Sequence, residues 1–375
     1  MLLPAATKGA MVNVTNSAEF RDALATAGPG TTILIAPGVY TGGVMIREKN
    51  GAPDDPIVIA AQNISEPPIF EKGISAIHLV DCNHVTLRGL HVRDFSVNGI
   101  NIDDGGSFET PSTHIVVEDM IFERIGPTGN VDALKMSGVD DFEIRNSTFR
   151  GWGGSAIDMV GCHRGVVESC TFAGLGGHDQ HSGIQMKGGT TDIRVLRSTF
   201  LNAAQRAINL GGSTGLRYFR PRPDGFEAAR IEVAGNRFIG GETAIAFVTA
   251  RDAHVHHNTI HRPGRWVFRI LQETESPDFA PCSTGVFEHN LVVFDSKLST
   301  TVNIGGGTAP ETFTFRKNAW FGEGVPSAPK LPVDEADGLV GVDPKLNHVG
   351  TARLSIGSSD PRLEGIGADA YTGKD

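Results

Sequence analysis

Lys187 and Arg206 lie in two copies of one short pattern, S-G-I-Q-M-K-G from Ser182 to Gly188 and R-A-I-N-L-G-G from Arg206 to Gly212. The segment between them, DIRVLRSTF, alternates with the period of a strand. If the copies stack, Gln185 falls beside Asn209, Ser182 beside Arg206 and Lys187 beside Gly211, which puts an amine and a guanidinium on one polar surface. A lysine becomes a base when neighbouring cations and partial burial bring its pKa toward the working pH. An arginine next to it neutralises a carboxylate in bidentate fashion. That pairing suits removal of a proton from carbon beside a carboxylate, as in a uronic acid.

Further candidates surround this pair. Lys135 and Arg269 can bind carboxylates, with a salt-bridge strip involving Asp132 and Asp158 as the alternative for Lys135. Asp158, Gln185 and Asn209 share the polar column with them as expected substrate contacts, and Glu273 either faces the same surface or pairs with Arg269. An insertion, RYFRPRPDGFEA, carries Arg217, Tyr218, Arg220 and Arg222; it can wall a cleft and bind an anionic chain, with Arg217 and Arg220 as substrate contacts and Tyr218 as an acid, or be a solvated loop. His178, Asp179 and His181 form H-D-Q-H just before the lysine strand. They can relay protons or hold a metal, although the spacing fits no strong metal motif and an exposed turn is the simpler reading. His256, His257 and His289 read as structural.

The elements that must position these residues recur as a coil. Units ending at Val92, Phe122, Phe149, Phe172, Phe200, Phe238, Ile260, Val292 and Trp320 align by their last apolar residue, mostly at intervals typical of solenoids. Short strands without helical periodicity between them predict an all-β solenoid. In this alignment Phe149, Phe172, Phe200 and Phe238 form an internal aromatic stack, and Asn236, Asn258, Asn290 and Asn318 form a ladder at a turn. Both are structural, since stacked amides bond one another and the buried backbone. A second pattern in each coil defines an outward column, Asn101, Lys135, Asp158, Gln185, Asn209, Ala246, Arg269 and Asn303. The column before it is Asn98, Asp132, Ser155, Ser182, Arg206, Thr243, Trp266 and Thr300. The cations of the middle coils and the insertion predict a positive cleft.

At the N-terminal end, Asn16 to Ala27 reads as a short helix with Asn16 as N-cap and Glu19 at the capping-box spacing. It is followed by strands and is expected to cap the solenoid. Residues 13–77 are then cap and first coils, 78–325 central coils and 326–375 a closing segment, all within one domain of 1–375. A net charge of -10 argues against nucleic acid as partner. No apolar run is long enough to span a membrane. No signal peptide is visible in MLLPAATKGAM. Cys82, Cys162, Cys170 and Cys282 lack metal-ligand spacing and read as buried thiols.

With these coils in place, the chain resembles right-handed parallel β-helix polysaccharide-active proteins, closest to the alginate lyase and chondroitinase B group. The residues that carry the likeness are AEFRDALATAGPGTTILIAPGVYTGGVMI, GAPDDPIVIAAQ and SIGSSDPRLEGIGA, together with the strand GIQMKGG. The resemblance implies a lysine base at Lys187, an assisting arginine near Arg206, a calcium ion held by acidic residues just before the lysine, where Asp179 stands beside Gln180 and Ser182, and a secreted or periplasmic location. It also implies an acidic polysaccharide as substrate and cleavage by β-elimination. A C5-epimerase shares the proton abstraction. A glycoside hydrolase would need paired carboxylates such as Asp103 with Asp104 or Asp132 with Asp158, and a non-catalytic glycan-binding solenoid would bind without turnover.

Overall fold

The computed structural model describes residues 9–373; most of the N-terminal stretch inspected for a signal peptide lies outside them. Three parallel sheets of 14, 10 and 12 strands run the length of the molecule. The chain visits them in the same cyclic order in each coil, so each strand pairs with its counterpart one coil away. Such parallel crossovers wind right-handed for the steric reasons that twist strands.

The period-2 alternation explains why the repeat closes. Along Ser182–Lys187, Ile184 and Met186 are buried in the core while Gln185 and Lys187 face out. The apolar set stacks coil on coil. The phenylalanine stack is longer than its four sequence members, since Phe122 joins it, with centroid separations of 4.7, 5.0, 4.6 and 4.9 Å. The asparagine ladder forms as expected. Asn236, Asn258 and Asn290 each donate through Nδ2 to the next Oδ1 at 3.0, 2.9 and 3.0 Å. Glu335 ends it, accepting from Asn318 Nδ2 at 2.7 Å.

One α-helix is present among the described residues, Ser17–Thr26, and Asn16 Oδ1 caps it by accepting from Ala18 and Glu19 N–H. Its buried Phe20 meets Phe70 edge-on at 5.6 Å, which ties it to the first coils. At the other end the chain does more than close the solenoid. Glu335 seals the ladder, and the last residues double back along the coils. Ala368 N–H donates to Thr259 Oγ1, Arg237 pairs with Asp369, and Tyr371 packs against His256. All four cysteines are buried free thiols, and no helix among the described residues is long and apolar enough to cross a membrane.

Candidate active site

The outward columns lie on the ten-stranded sheet in the expected register. Asn101 pairs with Lys135, Lys135 with Asp158, Asp158 with Gln185 and Gln185 with Asn209. The column continues through Ala246 and Arg269 to Asn303. Ser182 stands beside Arg206.

A chain of charge runs along this face toward Lys187. Lys135 Nζ lies 2.8 Å from Asp132 Oδ2 and 2.7 Å from Asp158 Oδ2, and Lys187 Nζ lies 3.0 Å from Asp158 Oδ1. Both aspartate side chains are fully buried, whereas Lys187 keeps 14% of its side chain exposed. The Lys187 contact is ionic rather than a directed hydrogen bond, for Asp158 Oδ1 has no hydrogen-bond partner. Burial opposes the charge on Asp158, yet Lys187 and Lys135 overcome it and hold the carboxyl below the usual carboxylate range. Asp132 goes the other way: burial, and then the charge of Asp158, push its carboxyl up against the pull of Lys135. Burial also disfavours the Lys135 ammonium, but Asp158 and Asp132 together hold it above the ordinary lysine range.

Three sequence expectations change here. Asp158 does not line a substrate surface; it is fully buried and orients the two lysines. Asn209 is also buried, donating to Gly211 O at 3.2 Å and accepting from Arg206 at 3.3 Å, so it braces Arg206. The strip as a whole is less positive than expected, because Lys135, Lys187, Arg206 and Arg220 carry their own carboxylates and, among the described residues, only Arg269 in the column does not. Lys135 occupies the salt-bridged position of its alternative reading, and Arg206 pairs with Glu273 at 2.7 Å. Glu273 therefore pairs with Arg206 and not with Arg269. Gln185 stays half-buried, with Oε1 3.4 Å from Lys187 Nζ. A Cβ at Gly212 would sit 2.7 Å from Gln185 Nε2, so the glycine leaves the carboxamide its present place.

The insertion lies against the edge of this face, anchored by a residue expected to bind substrate. Arg220 forms a buried pair with Asp104 at 2.5 Å, and its guanidinium also stacks on Phe108 at 4.1 Å. Gly138 and Gly161 have positive φ, and a Cβ on either would strike Asp104 or Arg220. Arg220 is thus a fastener. Arg217 donates to the Tyr218 hydroxyl at 2.7 Å on an exposed turn, and no contact joins Tyr218 to Lys187 among the described residues. His181, exposed at the start of the lysine strand, lies 3.8 Å from Asp179.

The donors around Asp179 do not fit calcium. Asp179 Oδ2 accepts from Gly129 N–H, and Gln180 spends its carboxamide on Leu175 and His178. Among the described residues no three His, Cys, Asp or Glu are placed to hold a metal ion.

Glu227, which nothing in the sequence singles out, ties the site together. It is completely buried, and its two oxygens accept from Gly188 N–H, Thr214 N–H, Thr214 Oγ1 and Thr274 Oγ1 at 2.5 to 2.7 Å. One carboxylate thereby fixes the residue after Lys187, the segment just ahead of the insertion and the residue after Glu273. Its partners are distant in sequence, so no local pattern announces it.

Residues 75–260 match the family model of the right handed beta helix region. Solved structures of the same shape include an alginate lyase from Paenibacillus sp. str. FPU-7, with 18% identity and a TM-score of 0.52 over 88% of this chain and 99% of that one. Pectate lyase Pel9A has 15% identity and a TM-score of 0.58, over 94% and 90% of the two chains. The A-module of mannuronan C-5 epimerase AlgE6 from Azotobacter vinelandii has 13% and 0.54, over 88% and 94%. No curated protein sequence matches the chain. At these identities the likenesses establish the fold, a right-handed parallel β-helix, and leave chemistry to the side chains.

Proposed function

We propose that this right-handed β-helix protein is a polysaccharide lyase that cleaves a uronic-acid-containing chain by β-elimination, with Lys187 as base and Arg206 as its electrostatic partner. The observation that carries the reading is the Asp132–Lys135–Asp158–Lys187 relay, two buried carboxylates and a buried-side cation ending at one partly exposed amine, with Arg206 on the neighbouring strand of the same sheet. Buried charge is costly when its only purpose is stability, and perturbed ionisable clusters concentrate at functional sites. The alginate lyase, pectate lyase and epimerase that share the fold support a polysaccharide as the substrate class.

The relay supplies what a lysine base needs. To accept a proton Lys187 must first be neutral, and loss of its charge would strand an ordinary buried aspartate. Here Lys135 stays on the other oxygen of Asp158, so the buried carboxylate keeps one ammonium partner after Lys187 has given up its proton to solvent. A substrate carboxylate displaces Glu273 from Arg206, and the guanidinium withdraws charge and acidifies the adjacent C5–H. Lys187 Nζ takes that proton, the C5–H electron pair becomes the C4–C5 double bond, and the C4–O bond breaks as the leaving oxygen is protonated. Tyr218 and His181 are the candidate donors for that last step. Secretion or a periplasmic location accords with such a substrate.

The pair of carboxylates a hydrolase would use is less suited, because Asp132 and Asp158 are both covered and bridged by one Lys135 ammonium. The deciding measurement follows ultraviolet absorbance of the unsaturated product on polymannuronate, polyguluronate and polygalacturonate, with sugar composition analysed in parallel. Lys187→Arg keeps the charge opposite Asp158 but cannot deprotonate. It is expected to lower turnover on the active polymer by about 10³-fold or more with the circular dichroism spectrum unchanged. Near-normal turnover by this variant would move the base elsewhere. Altered sugar composition without unsaturated product would make the protein an epimerase.

A further inference from the structure

Three coils from the Lys187 strand, the column of Gln185 and Asn209 holds a guanidinium of a different kind. Arg269 makes no ion pair among the described residues, whereas Arg206 and Arg220 both do. It is nonetheless held firmly. Its Nε donates to Asn303 Oδ1 at 2.9 Å, and its guanidinium carbon lies 4.4 Å from the centre of the Trp266 ring. Trp266 is itself covered by Arg265 at 4.0 Å. The Nε hydrogen bond and the ring contact set the plane of the guanidinium, and the two terminal nitrogens, the fork that grips a carboxylate in bidentate fashion, have no hydrogen-bond partner among the described residues. Burial, and then the charge of Arg206, pull its pKa below the usual arginine value, so the group gains from an arriving anion.

We infer that Arg269, braced by Trp266 and Asn303, is a distal carboxylate subsite that reads the length of a polyuronate bound along the coil axis. The inference rests on the lyase reading for its substrate class. The strands Arg206–Gly211 and Thr243–Val248 separate the Lys187 strand from that of Arg269, an axial distance of about 14 Å at the usual strand spacing. A sugar unit in a chain is comparable in length to one strand spacing. An oligomer therefore needs about four residues to touch both Lys187 and Arg269, and a disaccharide seated at Lys187 cannot. Trp266 offers the apolar backing that keeps the guanidinium from swinging away when the site is empty.

The test measures binding rather than turnover, by titration calorimetry of two-residue and six-residue oligomers of mannuronate, guluronate and galacturonate, with carboxyl-reduced hexamers as neutral controls. Wild type should bind one acidic hexamer at least about 10-fold more tightly than its dimer. Arg269→Ala should collapse that ratio toward one, and Arg269→Lys, which keeps the charge but loses the fork and the flat stack, should recover only part of it. Asn303→Ala should give an intermediate ratio, with melting temperatures reporting the fold of all three. An unchanged ratio in Arg269→Ala overturns the subsite even if Lys187-dependent cleavage is found. Equal loss for dimer and hexamer overturns it too, since Arg269 would then act at the reaction centre. Length-dependent acidic binding that Arg269→Ala abolishes, in a protein that never cleaves, would keep the subsite and discard the lyase. No binding to any acidic oligomer discards both.

Discussion

The outer faces of the ten-stranded and fourteen-stranded sheets are built from the same residue types to different depths. On the fourteen-stranded sheet guanidiniums meet carboxylates, Arg194 with Glu232, Arg230 with Asp192 and Arg164 with Asp141 near the surface, and Arg316 with the buried Glu288. The arginines there are about half exposed. A depression of about 610 Å³ on that face is lined by His254, His256, His257 and His289, but its carboxylates are already engaged, Glu288 by Arg316 and His254, Glu232 by Arg194 and His256. On the ten-stranded sheet the carboxylates Asp132 and Asp158 have no exposure at all. Solvated cross-strand pairs hold register and solubility at little net gain. Fully desolvated ones are costly to strand, and they end at an amine that reaches solvent. Depth, more than charge count or cavity size, separates the candidate active face from the other.

The comparison can be broken most directly at Asp158. Asp158→Asn keeps the shape and leaves Lys135 and Lys187 facing each other without their shared carboxylate. Unfolding free energy should fall by about 3–5 kcal/mol, read from chemical denaturation, together with loss of activity. A loss no larger than that of a surface pair would mean that the two faces do not differ in kind.

The second effect is pH-dependent and belongs to the fourteen-stranded sheet. His256, then Arg194, hold Glu232 at about 2, and Arg316 and His254, working against burial, hold Glu288 at about 2. Their folded values lie below the unfolded carboxylate value of about 4.3. The stability they contribute is therefore present above that value and is lost as pH falls toward 2. Melting temperature should drop across this window, and Glu288→Gln should flatten the drop, whereas a profile identical to wild type would remove Glu288 from the account.

The smallest effect is expected at Arg194→Ala, on an exposed pair. It should cost no more than about 1 kcal/mol and leave polyuronate turnover unchanged. A change in turnover would tie the two faces functionally.

Much of this was legible in the residues. In-register stacking copies each position one coil along the axis, so aligning repeats by Phe149, Phe172, Phe200 and Phe238 also placed Gln185 beside Asn209 and Arg269 beside Asn303. The N-cap at Asn16 was legible for a local reason, the bonds of one side chain to the next turn. Residues such as Glu227 and Asp104 were not legible in their roles, because their partners lie on other coils or on the insertion.

The sequence by itself determined the coil, its register and the faces on which the polar columns lie, because alternation with period two and a repeated apolar position admit one way of stacking. Only the tertiary structure decided how deep each polar group sits and which partner it takes. Those depend on the insertion pinned by Arg220 and on side chains reaching between coils, as Arg206 reaches Glu273. Depth sets the local dielectric and hence the cost of a charge. For that reason Asp158 became a buried hub and Arg269 an open fork, although both occupy the same column of the repeat.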